Sequence, residues 1–190
     1  MPDTDDADAA AEKFWPEEYK WVIRDDLKEA IKANLKEERP FSAIYQRDYA
    51  GRFDTYEAFA DRLAEGVIIG AENGADEILN EIHQRIRQNS PLPERRLYAV
   101  YFYPQPFEEK LKTSLYREVF EEFRAHPIYR HIYEDHYESR LSFDEFIDHL
   151  AQLVVAGAMN GADKTLGDIY RAFLFASPLP AFRRRPRRVR

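Results

Sequence analysis

Apolar positions recur at helical spacing through most of the chain. Leu27, Ile31 and Leu35 step along one face, and Phe59, Leu63, Val67, Gly70, Gly74, Ile78, Ile82 and Ile86 along another. Phe146, Leu150, Val154, Gly157, Gly161, Ile169 and Phe173 repeat the second stripe further on. Helix A is expected over about 17–38 and 107–125, helix B over 41–50 and 128–138, and helix C over 55–87 and 142–174. Pro40 and Pro127 should end each helix A, because the residue before a proline is pushed out of the helical region. Ser142 with Glu145 three residues on reads as a capping box for the second helix C. The one β-like run is Leu97–Tyr103, expected as a short strand or an extended crossover.

These elements fall into two copies of one unit. Shifted by 87 residues, GAENGAD (70–76) lands on GAMNGAD (157–163), and SPLP (90–93) on SPLP (177–180). Without a gap, 20 of the 57 positions in 40–96 are identical, far beyond chance. The eleven prolines also leave 41–90 and 128–177 empty, so the same punctuation brackets both bodies. The expected fold is all-α: one helical domain over 13–182, made of three-helix units 14–96 and 102–182 packed about a pseudo-twofold. Residues 1–12 read as an acidic disordered start and 183–190 as a basic arginine tail.

The repeated motif holds four of the seven glycines. A glycine inside a helix costs about 1 kcal/mol against alanine, so both copies must need the missing side chain. The first expectation is that Gly70, Ala71 and Gly74 cross Gly157, Ala158 and Gly161 at short distance. Asn73, Asp76, Asn160 and Asp163 would then bridge the crossing, and a leucine at Gly70 or Gly157 should unfold the chain. A helix break at each Asn-Gly competes with this, as does a cation held between Asp76 and Asp163.

Composition narrows the chemistry. With no cysteine there is no thiol catalysis or disulfide, and no stretch is apolar for the ~20 residues of a membrane span. A soluble, cytoplasmic protein is expected. Net charge is −7, yet 183–190 carries six arginines and no acid, which leaves −13 on the rest. No phosphate loop, metal-protease helix or nucleophile elbow occurs. His131, Asp135 and Glu138 share a helix face, and Glu118, Glu121, Glu145 and Asp148 form acidic pairs at i, i+3; solvated faces explain both.

No family resemblance, cofactor or metal is implied. The expected function is non-catalytic: an acidic helical adaptor, regulator or inhibitor that binds a protein partner, with a homodimer kept open. Tyr98, Tyr101, Tyr103, Tyr129, Tyr133 and Tyr137 are the candidate partner surface, against core packing as the plainer reading. The first alternative is nucleic acid bound through Arg183, Arg184, Arg185, Arg187, Arg188 and Arg190. The second is a magnesium-type carboxylate nucleotide hydrolase.

Overall fold

The computed structural model describes residues 28, 31–33, 39–98, 109 and 111–185. It is helical, with no strand among the described residues. Helix α1 (Arg39–Ile44) runs into a widened π turn (Tyr45–Tyr49), and α2 spans Tyr56–Arg87. A second π turn (Leu111–Leu115) leads into α3 (Tyr116–Ala125); α4 is Pro127–His136 and α5 is Phe143–Leu174. The first helix A lies mostly outside the described residues. Leu97 and Tyr98 are non-helical, and the remainder of Leu97–Tyr103 lies outside.

Local chemistry sets these boundaries. His126, before Pro127, has φ −80° and ψ 122°, so α3 stops there and α4 begins on its proline. Thr55 caps α2 by accepting from the Ala58 N–H, and Ser142 and Glu145 form the full capping box on α5. Both long helices end in the same way. Asn89 (φ 50°) and Ala176 (φ 45°) turn left-handed, the Ser90 N–H donates to the Arg85 carbonyl at 2.9 Å, and the Ser177 N–H to the Ala172 carbonyl at 2.9 Å.

Helices α2 and α5 are the frame, each 32 residues long. Both run unbroken through their Asn-Gly pairs, which overturns the helix-break reading. The reason is contact between backbones. A methyl group built on Gly70 would sit 2.6 Å from the Gly161 carbonyl oxygen. One on Gly157 would sit 2.7 Å from the Gly74 carbonyl oxygen. The pairings Gly70–Gly161 and Gly74–Gly157 run in opposite senses, so the helices cross antiparallel. Ala71, Ala75, Ala158 and Ala162 are fully buried beside them. Packing gained at this distance offsets the low helix propensity of glycine.

Aromatic clusters fill the two ends. Fully buried Phe59 lies among Tyr45, Tyr49, Phe53 and Phe173, with ring centroids 5.3–6.1 Å away. Phe146 lies against Tyr133 at 5.9 Å and Tyr137 at 4.8 Å. Tyr45 and Tyr49, four residues apart, fall on one face of the first π turn and are both buried.

Among the described residues no helix is long and apolar enough to cross a membrane.

Candidate functional site

Two non-helical straps follow the long helices: residues 90–98 after α2, and 177–185 after α5. Each opens with Ser-Pro-Leu-Pro, which cannot continue a helix. The second strap starts under Tyr49, whose buried phenol donates to the Ser177 carbonyl at 2.8 Å. Each strap then crosses to the other long helix. Together with the glycine crossing they line a cleft of about 990 Å³.

The asparagines of the repeated motif hold the straps. Asn73 on α2 donates from Nδ2 to the Arg183 carbonyl at 3.0 Å, and its Oδ1 accepts from the Arg185 N–H at 2.9 Å. Asn160 on α5 donates to the Arg96 carbonyl at 2.7 Å and accepts from the Tyr98 N–H at 2.8 Å. In an extended chain the C=O of one residue and the N–H two residues on point the same way. One carboxamide, with a donor and an acceptor, satisfies both. The asparagines therefore clamp extended backbone, whereas they were expected to bridge the crossing.

Around the Asn73 clamp, contacts to side chains are added. The Phe182 ring lies over Gly66, where a methyl group would stand 2.6 Å from its Cζ, and the Arg62 guanidinium covers that ring at 4.7 Å. Arg184 Nε lies 3.1 Å from Glu72 Oε2, a carboxylate only 2% exposed. Arg185 pairs with the exposed Glu77 at 3.0 Å. Arg183, Arg184 and Arg185 thus lie against α2. Arg183 is held through its carbonyl by Asn73, and α2 supplies a carboxylate each to Arg184 and Arg185. Arg187, Arg188 and Arg190 lie outside the described residues.

The candidate tyrosine surface divides. Tyr98 is exposed, and Tyr101 and Tyr103 lie outside the described residues. Tyr129 (1% exposed) and Tyr133 (9%) are core, and Tyr137 is half-buried on Phe146. Tyr133 gives its hydroxyl proton to the Leu141 carbonyl at 2.6 Å, so the ring is buried while its polar end is satisfied. Burial also pushes the Tyr129 phenol well above its ordinary range. Tyr129 and Tyr133 therefore face inward and offer no surface to a partner, while Tyr137 keeps part of its ring exposed.

The metal readings do not gain a site. The antiparallel register sets Asp76 at the level of residue 155 and Asp163 at the level of residue 68, about 12 Å apart along the axis. His131 and Asp135 are 3.8 Å apart on an exposed face. Among the described residues no three His, Asp or Glu side chains gather for a metal. Two of the acidic pair members have structural work: Glu145 caps α5, and Asp148 accepts from Tyr116 and from Gln152, the latter at 2.7 Å.

Compared with known proteins, the chain matches no family model, no curated protein and no solved structure.

Proposed function

We propose that the chain is a non-catalytic helical protein, two copies of one unit about a pseudo-twofold, that binds a protein partner at the cleft over the glycine crossing. The duplication is supported by correspondences at the offset of 87: two 32-residue helices, paired glycine contacts, two left-handed caps and two asparagine clamps. The observation that carries the functional reading is the clamp. A carboxamide that satisfies backbone C=O and N–H together recognises extended polypeptide whatever its sequence. The docked arginines weigh against the nucleic-acid alternative, since Arg184 and Arg185 already face carboxylates.

The test is affinity recovery of the full-length chain from its native source, followed by size-exclusion chromatography with light scattering and absorbance at 260 and 280 nm. The expected particle is nucleic-acid-free and holds a second polypeptide in fixed ratio. The Asn73→Ala/Asn160→Ala chain should be recovered without it. A particle rich in nucleic acid that strips at raised salt would overturn the reading.

A further inference from the structure

The two clamps share an asparagine and differ in what surrounds it. At matching positions α2 has Gly66, Glu72 and Glu77, where α5 has Leu153, Met159 and Lys164. Their straps differ in step: Phe182, Arg184 and Arg185 on one, Arg95, Leu97 and Tyr98 on the other. The α2 side is therefore complementary to one pattern. Gly66 leaves room for an aromatic ring, Asn73 reads the backbone, buried Glu72 takes one arginine and Glu77 the next. Arginine fits here because its guanidinium meets a carboxylate with more than one donor.

The occupant is held in a way that lets it leave. Among the described residues, no backbone–backbone hydrogen bond ties this strap to the body beyond Ser177. The Arg184 and Arg185 side chains are about half exposed, at 54% and 56%, and Glu77 is exposed too, so salt screens the Arg185 pair.

We propose that this face of α2 is a recognition site for an extended segment of a partner protein carrying an aromatic residue followed two and three positions later by arginine, with Phe182–Arg185 as its resident, displaceable occupant. This rests on the protein-binding reading above and names the ligand class. The tethered strap is present at an effective concentration of about a millimolar, so it raises the threshold a partner must exceed.

The test uses the full-length chain and a fluorescent peptide with the sequence of residues 177–188, read by anisotropy. A Phe182→Ser/Arg184→Ser/Arg185→Ser chain empties the site and should bind the peptide at least tenfold more tightly than the wild type. Adding Asn73→Ala, or placing serine at the peptide positions that correspond to Arg184 and Arg185, should remove at least tenfold. A scrambled peptide of the same charge must also bind at least tenfold more weakly. A folded triple variant that binds no better than wild type, or binds the scrambled peptide equally, overturns the site. Should that variant fail to fold, the wild type is titrated with the peptide and amide exchange is followed. Displacement should expose the Arg185 N–H and spare that of Tyr98, and unchanged protection at saturating peptide overturns the site. If the peptide fails while a partner is still recovered through Asn73 and Asn160, the ligand class is wrong and the protein-binding reading stands.

Discussion

Replacing Gly161 with alanine sets two effects of opposite sign against each other. Alanine improves helix propensity by about 1 kcal/mol. Its methyl group, however, would stand 2.8 Å from both N and Cα of Gly74, and closer still to the Gly70 carbonyl oxygen. Ordinary contact begins near 3.4 Å, so the shortfall is at least about 0.6 Å. Every atom it meets is backbone of α2, so no side chain can rotate away. The helices must part along an interface whose small residues are fully buried. Overpacking of this kind costs about 3 kcal/mol at the upper end of its usual range. The net loss is then about 2 kcal/mol, or roughly 4–8 °C in Tm for a chain of this size. Gly51→Ala is the control. Nothing lies within 4 Å of a Cβ there and the backbone is not left-handed, so that change should be neutral or slightly stabilising. Urea and thermal unfolding followed by circular dichroism measure both. A Gly161→Ala chain as stable as wild type, or more so, would refute the close crossing.

Other outcomes follow from the caps and the tyrosines. Ala176→Gly should raise stability by about 1 kcal/mol, since a left-handed Cβ is removed at φ 45°; urea midpoints check it. Ser142→Ala should cost about 1 kcal/mol through the lost α5 cap. The same change should alter the acid limb. Hydrogen bonds from the Ser142 backbone N–H and then its hydroxyl hold the Glu145 carboxyl below its ordinary 4.5, so their contribution is present above that value and lost as pH falls through the lower folded value. Stability of Ser142→Ala should fall less steeply than wild type below pH 4.5. At the other extreme, burial and then the hydrogen bond to Asp148 push the Tyr116 phenol from 10 to about 12. That contribution is complete below pH 10 and lost as pH rises through 12, so Tyr116→Phe should flatten the decline over that window.

Much of the frame was legible because it is local. The helical stripes, the capping box and the paired small residues placed α2, α5 and their crossing within a few residues. What could not be read depends on distant partners. Asn73 meets Arg183 110 residues away, and Asn160 meets Arg96 64 residues away, so each looked like a side chain for the crossing itself. Glu72 sits inside the GAENGAD motif, and nothing near it in sequence announces that Arg184 will cover it. The tyrosines of α4 were ambiguous for a different reason. A tyrosine suits core and surface alike, and only the position of the Leu141 carbonyl decides that Tyr133 turns inward.

The central claim is that carboxamides hold extended chain against the crossed helices. Amide hydrogen exchange by NMR reads it directly. The N–H groups of Arg185 and Tyr98 lie on exposed, non-helical residues, yet they donate to Asn73 and Asn160. Both should exchange at least tenfold more slowly than an open chain, and Asn73→Ala should release Arg185 alone while Tyr98 stays protected. Exchange of both amides at open-chain rates in the wild type would contradict the account.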